Sequence, residues 1–182
     1  MLFRSSLNVI LQGKSYREVN LDNKYFYEVM DQSEEIPTSS QPSIDELLDV
    51  FKSIVKSGDN VVGVFLSSDM SGTYSSAHLA KNMVLEEYPD ARIEIIDSRT
   101  NCMQMGFQVI EGARAAKEGK SIEEVVEVVN NVVKSSRFLF VPDTLRYLKK
   151  GGRIGGAAAL FGTILQIRPI LTVRDGDRKS VV

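Results

Sequence analysis

The sequence holds a single cysteine, Cys102, and a single histidine, His78. One cysteine excludes an internal disulfide and a cysteine-based zinc cluster, and it suits a reducing compartment. One histidine excludes metal sites built from several imidazoles. Charge of either sign is also scarce in excess: 22 Lys and Arg against 24 Asp and Glu leave a net charge of −2. No basic field therefore argues for nucleic acid or an anionic lipid surface. No apolar run approaches the length of a membrane-spanning helix, so stable membrane insertion is not expected. The opening residues Met1-Leu2-Phe3-Arg4-Ser5 turn polar too soon for a signal peptide, and a cytoplasmic protein is expected. There is no internal repeat and no low-complexity linker. What remains is an ordinary globular composition, 43% apolar and 25% charged over 182 residues, long enough to bury a core without disulfides.

Along the chain, apolar patterning alternates between strand and helix. Leu7 to Leu11 reads as a strand followed by a turn at Gly13, and Leu21 to Met30 as a short helix capped by Asp22. Residues Asp31 to Gln41 read as a polar loop. Ser43-Ile44-Asp45-Glu46 is a capping-box pattern opening an amphipathic helix that stops near Gly58. Val61 to Leu66 is a Val-rich strand, and a helix follows to about Glu87. Arg92 to Ile96 is a strand and Met103 to Lys117 a helix. A second capping box, Ser121-Ile122-Glu123-Glu124, opens a Val-rich segment whose spacing is helical although its propensity is poor. Arg137 to Val141 reads as a strand, with Asp143 capping a short helix after it. Ala157 to Leu165 reads as a compact helix of small apolar residues. Ile167 to Val173 reads as a last strand interrupted by Pro169, and Asp175-Gly176 as a hairpin turn with few residues left for its second strand. The alternation predicts an α/β fold, a parallel sheet with helices on both faces.

Ligands of such folds gather at the carboxyl ends of the strands. Three polar clusters are expected there: Ser67 to Thr73, Asp97 to Thr100, and Pro142 to Thr144. The loop Thr38 to Ser43 can reach the same edge. A strand ending in Ser67-Ser68-Asp69-Met70-Ser71-Gly72-Thr73 and then opening a helix has two readings. The hydroxyls cap the helix, or they join its free N–H groups to hold an anion. Two such hydroxyl-rich stretches suit a carboxylate or phosphate held by hydrogen bonds rather than by a full countercharge. No partner base is evident for any of these serines, and His78 reads as a surface or packing residue of the helix. Lys149 to Gly156 lacks the order of a phosphate-binding P-loop and follows a helix rather than a strand. It is either a basic loop that frees Arg153 to meet an anion or an acidic partner, or a helix end with a glycine stop. Cys102 reads as an ordinary helix residue, and the small-residue helix as core or as the wall of an apolar tunnel.

Taken together, several of these segments resemble the DegV family of bacterial fatty-acid-binding proteins. Ser67-Ser68-Asp69-Met70-Ser71-Gly72-Thr73-Tyr74-Ser75-Ser76-Ala77 is similar to its hallmark, and Thr38-Ser39-Ser40-Gln41-Pro42-Ser43 to its Thr-Ser-Gln-Pro-Ser element. Ile96-Asp97-Ser98, the run Asp143 to Ile154, and Ile167 to Thr172 match further family segments. The resemblance implies a DegV-like α/β domain over residues 1–141, its first strand missing, and the start of a second, lid domain over residues 142–182. It implies a carrier rather than an enzyme, with no catalytic residue, cofactor or metal. Such a carrier holds one long-chain fatty acid and presents it to a separate fatty acid kinase subunit that makes the acyl phosphate. The carboxylate-binding residues carried over are Ser39, Ser71, Gly72 and Thr73. Ser39 stands where the family usually has threonine, so Thr38 and Ser40 are rivals. Ser40, Ser98 and Arg153 are further expected contacts to ligand or partner.

The family begins with a strand ending in Asp-Ser and continues well past the Asp-Gly hairpin, so the expectation is a chain truncated at both ends. Two other readings stand beside the carrier. One is an enzyme acting on a phosphorylated small molecule at the same anion site. The other is an incomplete domain that folds or functions only as a homo-oligomer.

Overall fold

The computed structural model describes residues 3–160 and 169–180. Strands β1 (Asn8–Leu11) and β2 (Lys14–Arg17) form an antiparallel hairpin, Leu11 opposite Lys14. Its two-residue turn has both residues at positive φ, Gln12 at 49° and Gly13 at 74°, which matches the right-handed twist of the flanking strands. Only Gly13 announces this turn in the sequence. Lys14-Ser15-Tyr16-Arg17 has no apolar alternation to mark it as a strand. Asp22 caps α1 (Asn23–Gln32) as expected, its carboxylate accepting from the Tyr25 N–H at 2.8 Å.

Part of the expected polar loop is a strand. β3 (Thr38–Ser40) pairs antiparallel with β1, Ser39 opposite Val9. Its three hydroxyl residues are exposed, so hydrophobic patterning could not reveal it. The partner strand alone defines it.

The core of the molecule follows the sequence closely. Ser43 caps α2 (Ile44–Lys56), its Oγ accepting from the Glu46 N–H at 3.2 Å. The chain continues through β4 (Val61–Phe65), α3 (Thr73–Glu87), β5 (Ile93–Asp97), α4 (Cys102–Lys117) and α5 (Ile122–Ser135). Both bonds of the Ser121–Glu124 capping box are present, and the Val-rich segment behind it is helical. Burial of Val125 and Val129 against α4 overrides their intrinsic preference for strand. Strands β4 and β5 pair in parallel, from Val61 opposite Ile93 to Phe65 opposite Asp97. The period of two sends Val61, Phe65, Ile93 and Ile95 toward a cluster with Leu47 and Phe51 of α2 and Ala77, Ala80 and Val84 of α3. Each large apolar side chain buried there contributes about 2 kcal/mol. The α4–α5 pair packs on the same two strands.

The remaining strands extend the architecture beyond what alternation alone predicts. β6 (Leu139–Phe140) and β8 (Asp177–Ser180) flank β7 (Leu171–Arg174) in a separate antiparallel sheet. Of the described pairings, only β4–β5 is parallel. The expected strand Arg137–Val141 contracts to two residues, and the last strand starts at Leu171, beyond Pro169, which cannot donate to a ladder. Asp143 does not cap the short helix α6 (Arg146–Lys150). Thr144 Oγ1 accepts from the Arg146 N–H at 3.1 Å instead. The expected helix from Ala157 is a 3₁₀ segment over Gly155–Leu160, and its continuation to Leu165 lies outside the described residues. No described helix is long and apolar enough to cross a membrane.

Candidate functional site

The loops that leave β4 and β5 meet at the carboxyl edge of the parallel pair. They extend its ladder by two bonds, Ser98 N–H to Phe65 O at 3.0 Å and Ser67 N–H to Thr100 O at 3.0 Å. The Asp97 carboxylate ties them together. It accepts from Ser68 Oγ at 2.6 Å, from the Arg99 N–H at 2.8 Å and from Arg99 Nη1 at 3.3 Å. Arg99 itself sits at φ 54°, a left-handed conformation for a residue with a side chain, and so does Cys102 at 52°. The β5–α4 connection is thus held in an unfavourable shape by the contacts around it.

Beside this edge lies an open cavity of about 1050 Å³. Its wall is assembled from several separated stretches, among them Leu7, the segment Glu34 to Pro37 and Asn101. Thr38 to Gln41 come from β3 and the residue after it, and Leu66, Met70, Ser71 and Gly72 from the β4–α3 loop. Tyr147, Leu148, Gly151 and Arg153 come from α6 and its end, and Arg178 from β8. Gln41 joins the β3 stretch to the β4–α3 loop. Its Nε2 donates to Ser76 Oγ on α3 at 3.0 Å, and its Oε1 lies against Gly72, where an added Cβ would stand only 3.0 Å away.

Ser71 lines the cavity and also closes the start of α3. Its Oγ accepts from the Thr73 N–H at 3.2 Å, a capping bond at the start of α3, and lies 2.7 Å from Thr73 Oγ1. With Thr73 as donor, both lone pairs of Ser71 Oγ are filled and its own proton is left for the cavity. Thr73 is buried and does not line the cavity, so its hydroxyl acts behind Ser71 rather than beside it. Gly72 lines the wall with Ser71. Ser39 and Ser40 line it too, as does Thr38. The alternation of a strand puts Thr38 and Ser40 on one face and Ser39 on the other.

Ser98 stands apart. It is 1% exposed, its Oγ donates to Thr100 O at 3.0 Å, and it does not line the cavity. The Pro142 to Thr144 cluster does not reach the cavity either, because β6 joins the β7 sheet rather than β4–β5. His78 packs edge-to-face on Tyr74, with ring centroids 4.6 Å apart.

The basic stretch is a helix end with a glycine stop. The Gly152 N–H donates to Lys149 O at 3.0 Å and the Arg153 N–H to Leu148 O at 2.9 Å, the two bonds of a Schellman stop with Gly152 at φ 69°. That helix stop is what delivers Arg153 to the cavity wall. Several lining residues carry no motif that sequence reasoning could use, Arg178 and Asn101 among them. Arg178 follows an ordinary hairpin turn. Asn101 precedes α4, and its Oδ1 is buried without a protein partner. Burial raises the Cys102 thiol above its ordinary pKa, and the nearby Arg178 charge partly offsets that. Among the described residues no group of three or more His, Cys, Asp or Glu is placed to hold a metal ion.

The fold is α/β, and the cavity wall carries hydroxyls and guanidinium groups beside the carboxylates of Glu34 and Glu35. The family model "Uncharacterised protein, DegV family" matches residues 5–181, and the chain belongs to the DegV family. It is 57% identical over 171 residues to a DegV domain-containing protein of Clostridium acetobutylicum, an alignment covering 94% of this chain and 60% of that one. Its structure is similar to that of a fatty-acid-binding DegV family protein from Thermus thermophilus, with a TM-score of 0.89 at 30% identity, covering 98% of this chain and 62% of that one. It is also similar to the Fatty Acid Kinase (Fak) B3 protein of Streptococcus pneumoniae loaded with linoleic acid. There the TM-score is 0.86 at 28% identity, over 98% of this chain and 63% of the other. The chain thus spans about three fifths of the length of the relatives it matches.

Proposed function

We propose that the cavity takes the carboxylate of a long-chain fatty acid and that the protein is a cytoplasmic carrier, not an enzyme. It presents the bound acid to a separate kinase subunit, which converts the carboxylate to an acyl phosphate. The observation that carries this reading is the convergence of Ser39, Ser40, Ser71, Gly72 and Arg153 on one cavity from three stretches far apart in sequence. Neutral hydroxyl donors suit a monoanion, and the half-apolar lining with Leu66, Met70 and Leu148 suits the first methylenes of an acyl chain. Among the described residues, Ser71 Oγ is hydrogen-bonded to Thr73, and no carboxylate or imidazole is bonded to it. The Fak B3 relative and the fatty-acid-bound structures support both the ligand and the partner class. In this reading residues 1–141 form the DegV-like domain, and residues 142–182 begin the second one that closes over the ligand.

The test is organic extraction of the purified protein followed by mass spectrometry, with titration of palmitate and oleate into stripped protein. Fatty acid is expected in the extract. Ser71→Ala is expected to weaken palmitate binding by about tenfold or more, since a hydrogen bond to a charged group contributes about 1.5–3 kcal/mol. Ser98→Ala is expected to leave binding unchanged. An extract without fatty acid, together with no binding of either added acid, would sink the proposal.

A further inference from the structure

Asn101 stands where an asparagine should cap a helix, yet it does not cap α4. Asparagine is among the best N-cap residues, and the Asn101 backbone O does begin the helix, accepting from the Met105 N–H at 3.3 Å. Its side chain makes no cap bond. Cys102, the first residue of α4, sits at φ 52° instead of in the helical region, so the first turn does not bring its N–H groups around the Asn101 side chain. Thr100, on the other side, is fixed. It is 1% exposed, and its carbonyl accepts from the Ser67 N–H at 3.0 Å and from Ser98 Oγ at 3.0 Å. A pinned residue before it and a left-handed one after it hold Asn101 at the cavity wall.

Among the described residues, neither end of the Asn101 carboxamide is hydrogen-bonded. Its Oδ1 is enclosed without a partner, an arrangement that native proteins rarely keep and that calls for an explanation. The other amide of this wall, Gln41, is tied to Ser76. Turned over, the Asn101 amide would enclose two unpaired N–H donors in place of one carbonyl oxygen, which costs more. The Nδ2 end is therefore the polar group that Asn101 offers the cavity. A carboxylate presents acceptors only, so it is this end that suits one. The wall carries charges of both signs, Glu34 and Glu35 as well as Lys150, Arg153 and Arg178. Charge alone does not place a carboxylate on such a wall, and neutral donors do. Ser71 and Asn101 come from the loops that leave the paired strands β4 and β5.

We propose that Asn101 is a further head-group residue of this cavity, its Nδ2 donating to the carboxylate that Ser71 Oγ also holds. The assignment rests on the carrier reading above. The enclosed Oδ1 is a cost carried by the ligand-free protein, so removing the amide does not destabilise that state.

Two probes, titrated from a cyclodextrin carrier into the purified, stripped protein, separate a ligand contact from a structural role. One is palmitate and the other hexadecan-1-ol, which has the same chain and a neutral head. Asn101→Asp keeps the shape, remains a good N-cap and puts a negative charge where the helix dipole favours it. Its melting temperature without ligand is expected to equal or exceed that of the wild type. Its palmitate affinity is expected to fall by more than about tenfold, because an anion replaces the donor that faces the carboxylate. Asn101→Ala, which removes the donor without adding charge, is expected to lose about tenfold. Hexadecan-1-ol affinity should change by no more than about threefold in either variant, since a bond between neutral groups is weaker. Palmitate affinity unchanged in Asn101→Asp would overturn the inference. Equal losses for the two probes, with a lower melting temperature in both variants, would overturn it too by marking Asn101 as structural. Both outcomes leave the carrier reading intact. A wild type that does not bind palmitate would remove the carrier reading and this contact together.

Discussion

The tip of the β7–β8 hairpin is seated on the loops that form the cavity edge, and Gly176→Ala should unseat it. Gly176 is buried at φ 85°. Its carbonyl accepts from Ser67 Oγ at 2.6 Å, and the neighbouring Asp175 carbonyl accepts from Arg99 Nη2. A Cβ built on Gly176 would lie 2.5 Å from Arg99 Cζ and 2.5 Å from Asp69 Oδ2, inside any real contact distance. Alanine there costs about 1 kcal/mol for the left-handed backbone. It costs about 1 kcal/mol more for the strained Ser67 bond, and about 1 kcal/mol for pushing the half-exposed Arg99 off Asp175 and Asp69. The sum of about 3 kcal/mol predicts a melting temperature lower by about 6–12 °C in a protein of this size. Gly13→Ala is the control, since Gly13 has a similar φ of 74° but nothing within 4 Å of its added Cβ. It should show only the backbone cost of about 1 kcal/mol, a drop of about 2–4 °C. Thermal unfolding followed by circular dichroism measures both. If Gly176→Ala melts together with Gly13→Ala, the seated tip contributes nothing and the reasoning fails.

Two further predictions concern the helices and the thiol. At the α4–α5 crossing, a Cβ on Gly112 would stand 2.7 Å from Val129 Cγ2. Gly112→Ala should therefore destabilise by about 1 kcal/mol, overpacking of about 2 kcal/mol outweighing a gain in helix propensity of about 1 kcal/mol. In a Val129→Ala background the same change should stabilise instead, and urea titration of the double-mutant cycle reads that change of sign. Cys102 is exposed, but the surrounding protein partly desolvates its thiol and favours the neutral form, so the thiolate is reached at higher pH than in an ordinary cysteine. Its iodoacetamide alkylation profile should lie above that of N-acetylcysteine amide, a small thiol without a carboxylate, measured alongside. Arg178→Ala should move it higher still, and a profile that follows the small thiol would contradict the desolvation.

Much of the scaffold was legible because its signals are local. Asp22, Ser43 and Ser121 each cap the helix they precede, and apolar spacing marks which face of α2 and α5 is buried. The hydroxyl stretches at Thr38–Gln41 and Ser67–Thr73 were visible as candidates, although the local pattern left capping and ligand binding undivided for Ser71. Other features had no local signal. β3 and β2 are polar and exposed, so only their partner β1 makes them strands. Ser98 and Ser71 look alike in sequence, yet one hydroxyl turns into a buried loop and the other to the cavity wall.

By itself, then, the sequence determined the helices, the parallel β4–β5 pair, the hairpin at Asp175-Gly176 and the membership of a family, because capping, periodicity and turn chemistry act over a few residues. The tertiary structure alone decided which hydroxyls share a cavity, that Thr73 stands behind Ser71, and that Arg178 arrives beside Arg153. Those outcomes depend on the docking of β8 and of the α6 end against the β4–α3 loop, contacts between residues up to about a hundred positions apart. No window along the chain contains both partners of such a contact.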